Sequence, residues 1–374
     1  MLRFALLPAL LLLSARAWDK DGHEAIGMIT MSALQNGPVH EVKRLMHGKD
    51  AVDVAAWAHK VNAKYPWTKE LHFQPQPTWV CGSLDTSLCP DNRCLVKALR
   101  HFYGELVQKP NPADSIDWGG LALTDADRVK FLINLIGDMH QPLHLGFASN
   151  DCGRNITVVF RGKTSTLFDF WDTDMTQAIM KDTPNFWWGG WTHVQRTRSE
   201  YEKDGKAWEK DGIAMFDRWA DENAKSTCED VYRDAVTRRN ITAEKGPIRI
   251  TERLYEAWKQ EMLSKMLVAG ARTAIVLNSI LQHREASTLH DGTAVKMEDE
   301  EEIPRAKMPT GGRRSDSTHF HRKAWSGPSA FIANLGIFFV VYVIFMLFMR
   351  RWQGLDIVHQ ADRAKHGGDT GKKV

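Results

Sequence analysis

The twenty residues from Ala330 to Met349 carry no charge and are apolar apart from Asn334. As a helix rising about 1.5 Å per residue, such a run covers the roughly 30 Å hydrocarbon core of a bilayer. Arg350 and Arg351 follow at once, with more Lys and Arg beyond Trp352. Basic residues are retained on the cytosolic side, so this end predicts a single-pass type I protein of the plasma membrane or an endomembrane, with residues 330–349 as a transmembrane helix and 350–374 as a cytosolic tail. The other end fits that topology. Arg3 precedes a short apolar stretch, Phe4 to Leu13, and Ala15-Arg16-Ala17 has the small-x-small form of a cleavage site. Residues 1–17 therefore read as a signal peptide, and Trp18 as the first residue of an extracellular or lumenal ectodomain.

The ectodomain, residues 18–283, is long enough to bury a full core. Its clearest element runs from Thr124 to Gln141. Thr124 and Asp127 have the spacing of a capping box, and Phe131, Leu132, Leu135, Ile136 and Met139 form an apolar stripe at helical spacing. Pro142 stops the run. A second long helix is predicted from Glu252 to Leu281, with Leu254, Trp258, Met262, Met266, Ile275 and Leu277 among its apolar positions. Ile156 to Phe160, followed by Gly162, reads as one arm of a small β-hairpin. The fold class is mostly α. Residues 284–329 change character: the acidic run 298–302, Arg313-Arg314 and scattered Gly, Ser and Pro read as a flexible stalk. The aromatic group at 186–191 reads as packing.

Asn155-Ile156-Thr157 and Asn240-Ile241-Thr242 are glycosylation sequons that suit a secretory route. Cys81, Cys89, Cys94, Cys152 and Cys228 are an odd number, so in an oxidising compartment at least one is left free or joined to a partner. A net charge of +3, with both signs mixed, gives no basic nucleic-acid patch from composition.

Residues with metal-binding chemistry gather in short segments. Trp18 is followed by His23; His59 ends Ala55-Ala56-Trp57-Ala58-His59; His72 lies in Leu71-His72-Phe73. Asn134 and Asp138 are four apart, on one face of the predicted helix, and His140 and His144 follow. Trp171-Asp172 closes an aromatic stretch. A carboxylate beside a core stripe is costly unless paired or metal-bound. His, Asp and an amino terminus are zinc ligands, and a multi-metal site suits phosphodiester cleavage.

These segments together resemble the P1/S1 nuclease family of zinc-dependent class I nucleases with 3'-nucleotidase activity. The similarity runs from Trp18 to about Leu281. It is densest in Gly137-Asp138-Met139-His140-Gln141-Pro142-Leu143-His144, with support from Gly270-Ala271-Arg272-Thr273 and Leu277-Asn278. With a membrane tether the chain is similar to trypanosomatid surface 3'-nucleotidase/nucleases. The resemblance implies a phospholipase C/P1 nuclease-like helical domain. It also implies hydrolysis of single-stranded DNA or RNA and of 3'-nucleotides to 5'-phosphate products, and up to three zinc ions. Asp138 would bridge two of them, Trp18 and His23 would hold one, and His59, His72 and Asn134 would stand around the other. His144 and Asp172 would hold the third. Phe73 would contact substrate, and the bridges Cys81–Cys228 and Cys89–Cys94 would leave Cys152 over. The chain departs from the family pattern at five places. His59 stands for Asp, Asn134 and Phe168 each stand for His, Pro75 stands for Asp, and Asn62 stands for Arg. Two zinc ions are therefore expected rather than three. The alternative is a catalytically weak or inactive member that keeps the fold as a binding protein.

Overall fold

The chain is described by a computed structural model at residues 18–283, apart from 83, 85–87, 185–186, 188–193 and 243–245. The expected signal segment 1–17, stalk 284–329, transmembrane helix 330–349 and tail 350–374 lie outside the described residues, as does most of the aromatic group at 186–191.

Helices of eight or more residues among the described ones are α1 (Lys20–Ala33), α2 (Asn36–Leu45), α3 (Trp57–Lys64), α4 (Leu95–Leu106), α5 (Asp125–His140), α6 (Met175–Asp182), α7 (Val194–Asp211), α8 (Met215–Ser226) and α9 (Glu252–His283). The strands are β1 (Thr157–Phe160), β2 (Lys163–Thr166) and β3 (Ile248–Arg249).

α5 begins where its sequence says it should. The Thr124 side chain accepts from Asp127 N, and the Asp127 side chain accepts from Thr124 N, a reciprocal capping box. Pro142, two residues past its end, opens a short 3-10 turn that carries His144. The helix is buried along nearly its whole length, so it is the axle of the fold. Phe131 stacks on Phe102 of α4 with centroids 4.8 Å apart and meets Trp57 of α3 edge-on at 5.3 Å. α9 packs along α1, α5 and α7. The α1–α9 approach needs a glycine: a Cβ on Gly270 would lie 2.4 Å from Ile29 Cγ2.

β1 and β2 form the expected antiparallel hairpin, and β3 joins β1 in parallel, giving the order β2-β1-β3. Two apolar clusters fill the interior. One is built on α3, α4, α5 and α8; the other joins Trp18, the hairpin, Phe168, Trp171 and the first half of α9. Cys81 is bonded to Cys228 and Cys89 to Cys94, and Cys152 is a buried free thiol.

No helix among the described residues is long and apolar enough to cross a membrane. The physical reason is visible in α9, the longest at 32 residues, which carries Glu252, Arg253, Glu256, Lys259, Glu261, Lys265 and Arg272. The transmembrane part of the fold class, the membrane as a partner, the type I orientation and the trypanosomatid-type surface form are withdrawn. The secretory type I localisation is corrected with them; the sequon residues Asn155 and Asn240 have exposed side chains.

Candidate metal centre

Asp138 lies in the last turn of α5 with its carboxylate fully buried. Three imidazoles converge on it from three separate elements. His23 of α1 brings Nε2 to 3.2 Å from Oδ1, and His72, at the end of the 3-10 turn Pro66–His72, brings Nδ1 to 2.6 Å from Oδ2. His59 of α3 stands 4.0 Å from Oδ1, and its Nε2 is 3.2 Å from His23 Nε2. The two carboxylate oxygens thus face different donor sets. His23, His59 and Asp138 are the one set of three His, Cys, Asp or Glu side chains among the described residues whose donor atoms converge within 4.8 Å.

The local sequence explains the approach of His23. Gly137 precedes Asp138 on α5, and a Cβ there would lie 2.9 Å from His23 Nδ1. The Gly137 carbonyl also accepts from the Trp18 indole at 2.9 Å, which ties the start of the described chain to the same helix turn.

Electrostatics separates the roles. Burial opposes ionisation of Asp138, yet the imidazoles of His72, His144 and His23 around it hold its carboxyl well below the usual carboxylate range. Burial, with His72 beside it, pushes the His59 imidazole well below its ordinary value, and burial pushes His144 down to about 3. A charged carboxylate beside the neutral imidazoles of His59 and His144 is a protonation state that suits a cation.

Unpaired atoms point the same way. Asp138 Oδ1, His23 Nδ1, His59 Nδ1, His144 Nε2 and Asn134 Oδ1 are buried without a hydrogen-bond partner. Around His72 the hydroxyl of Thr68 faces two acceptors, Asn62 Oδ1 at 2.6 Å and Tyr65 O at 2.7 Å, with one proton to give. Turning the Asn62 amide over resolves this. Its NH2 then donates to Thr68, and its oxygen accepts from His72 Nε2, 3.2 Å away. His72 Nδ1 is left with a lone pair against Asp138, an arrangement that a cation stabilises. The residues present therefore fit a divalent metal.

Other expected ligands are placed differently. Asn134 gives its amide nitrogen to Ala55 O at 2.8 Å and sets the same nitrogen 3.3 Å from His23 Nε2, so it orients His23 rather than offering its oxygen. His144 donates from Nδ1 to His72 O at 2.6 Å. Asp172 lies in a π-helical turn, Phe170–Asp174, where burial and the nearby Asp19 push its carboxyl well above the usual range. Phe168, 1% exposed, fills the space beside His144 with ring centroids 5.7 Å apart. Among the described residues, the third metal position has no ligand set. Phe73 stacks on His144 at 4.4 Å, nearly parallel.

Two roles escaped the sequence reading. Asn62 orients His72, and Arg154 lays its guanidinium over the rings of Phe168 and Phe73. Arg154 lies between a glycine and a sequon, with no periodicity or motif to mark it.

Comparison with known proteins adds the context. The S1/P1 Nuclease family model matches residues 18–282. Endonuclease 1 of Arabidopsis thaliana is 24% identical over 294 residues, covering 73% of this chain and 90% of the relative. Endonuclease 2 of the same plant is 27% identical over 228 residues, or 58% and 77%. Nuclease S1 of Aspergillus oryzae is 28% identical over 170 residues, or 43% and 55%.

Proposed function

The chain belongs to the S1/P1 nuclease family, and on that premise we propose that it is a metal-dependent phosphodiester hydrolase with an altered metal site. Its substrates are single-stranded DNA or RNA and 3'-nucleotides, and its products carry 5'-phosphates. One observation carries this reading: Nε2 of His23 and Nε2 of His59, 3.2 Å apart, converge with the buried carboxylate of Asp138.

His23, His59 and Asp138 would hold a zinc ion. His72, on the other oxygen of Asp138, would add a further donor to the same centre. When bound, such an ion supplies Lewis-acid stabilisation of charge on the phosphoryl oxygens. The chain's own residues do the rest. Asp138 stays ionised, Asn62 and Asn134 fix the two histidines on either side of it, and His144 is held by the His72 carbonyl with Nε2 free. Phe73 presents a half-buried ring at the rim for contact with substrate.

The test is zinc stoichiometry together with cleavage of a single-stranded oligonucleotide by wild type and Asp138→Asn. Bound zinc and cleavage in wild type, both lost in the variant, support the reading. A wild-type protein that binds zinc but cleaves neither oligonucleotide nor 3'-nucleotide would instead be a binding protein on the same fold.

A further inference from the structure

The metal-poor end of the cluster is not left without positive charge. His59, Phe73 and Arg154 are each half-buried. The Arg154 guanidinium carbon lies 3.9 Å from the centroid of the Phe168 ring and 4.8 Å from that of Phe73. Phe73 in turn stacks on His144, whose Nδ1 is 3.9 Å from Asp138 Oδ1. A continuous stack therefore runs from the guanidinium to the Asp138 carboxylate. It passes over the phenylalanine that stands where a metal-binding histidine was expected.

We propose that Arg154 is a substrate-binding residue that grips a phosphate of the nucleic-acid chain beside the scissile one, a fixed cation at the position where the third ion is not supported. This rests on the nuclease reading. The side chain has the right chemistry, because a guanidinium offers five N–H donors in a planar fork that matches a phosphate. Nη1 is engaged with the Asp151 carbonyl at 3.4 Å and carboxylate at 3.3 Å. The Asp151 side chain is 62% exposed, so that pair is solvated and weak, and a phosphate can compete for the fork. The aromatic faces hold the cation in place without neutralising it.

The backbone beneath is fixed as well. Gly153, at φ +89°, donates to Asn150 Oδ1 at 2.7 Å, and Arg154 N donates to Asp151 O at 3.0 Å. A Cβ at 153 would meet Leu143 Cδ2 at 3.3 Å, so the turn sits tightly on the segment that carries His144.

The experiment measures fluorescence anisotropy of a labelled single-stranded oligothymidylate across a salt series, with zinc-loaded full chain, beside its cleavage kinetics. Arg154→Met is expected to weaken binding about tenfold and to lower the slope of log affinity against log salt by roughly 0.7, the loss of one phosphate contact. Arg154→Lys is expected to recover the slope but not the full affinity, since it keeps the charge and loses the fork. If Arg154→Met fails to fold, Arg154→Gln carries the same comparison. Unchanged affinity and slope in the neutral variant, with cleavage intact in wild type, overturn the proposal and leave the hydrolase reading standing. Arg154-dependent, salt-sensitive binding without cleavage supports it and removes the hydrolase reading. A wild type that neither binds nor cleaves overturns both.

Discussion

The imidazole of His23 occupies the space that a side chain at residue 137 would need: a Cβ on Gly137 would lie 2.9 Å from His23 Nδ1 and 3.0 Å from Cε1. Glycine inside a buried helix otherwise costs about 1 kcal/mol against alanine. Gly137→Ala should therefore gain helix propensity and still lose function, because His23 must move away from Asp138. The expected result is reduced zinc content and a melting temperature that no longer rises with zinc. An alanine variant that was more stable and bound zinc fully would show that His23 has room to yield.

Asp138 is the carboxylate that both histidine sets share. Asp138→Asn keeps the shape and removes the charge, so the loss should fall on the metal rather than on packing. In wild type, zinc at a hundredfold excess over its dissociation constant should add about 2.7 kcal/mol to stability. The variant should show almost none of that increment in denaturant titrations with and without chelator. An equal increment in both proteins would place the metal elsewhere.

One part of this centre was legible from residues alone, and the reasons are local. α5 announces itself by Thr124, its apolar stripe and Pro142, and Asp138 stands out because a carboxylate in such a stripe needs a partner. His23, His59 and His72 could be attached to it only through family resemblance, since they arrive from three elements far apart in sequence. Three features were beyond reach. β3 is two residues long and has no periodicity to read. The amide of Asn134 turns its nitrogen toward His23 because Ala55 O takes the other hydrogen, a tertiary contact. Arg154 acquires its meaning from Phe168 and Phe73, both distant in sequence. The apolar run 330–349 is as plain in the sequence as α5, but it lies outside the described residues and the helices that are described do not support the topology drawn from it.

Asp19 caps α1 by accepting from Gly22 N at 3.0 Å, and it also accepts from Gln177 Nε2 at 2.9 Å. Burial pushes its carboxyl up from 3.8 to about 7; Gln177 offsets part of this and Asp21 adds to it. A folded-state value above the unfolded one means that the fold keeps a proton which the unfolded chain releases between those two values. Stability from this group is present below about pH 4 and is lost as pH rises toward 7, by up to about 1.4 kcal/mol per pH unit. Asp19→Asn should match wild type at pH 4 and exceed it at pH 8, measured by urea denaturation in chelator. A gap independent of pH would mean that Asp19 is ionised in the fold.

Phe168 and Arg154 together decide whether a third ion can return. Phe168→His would set an imidazole beside His144, with Asp172 in the adjoining π-helical turn, the three protein ligands that a zinc site with an open position requires. The Arg154 guanidinium, 3.9 Å from the Phe168 ring centroid, would then stand against the incoming cation. Like charges at such a separation repel by several kcal/mol at the effective dielectric of a protein surface, about 4 kcal/mol at 4 Å. The single variant should therefore bind no additional zinc, and it should lose roughly 1–3 kcal/mol through the exchange of a buried phenyl ring for a smaller polar one. Phe168→His combined with Arg154→Gly should bind one more zinc per chain and recover stability when zinc is added. Metal analysis after gel filtration, paired with melting in zinc and in chelator, reads both effects. An extra ion in the single variant would show that Arg154 swings aside freely. No extra ion in the double variant would show that His144 and Asp172 are not aimed at a common point.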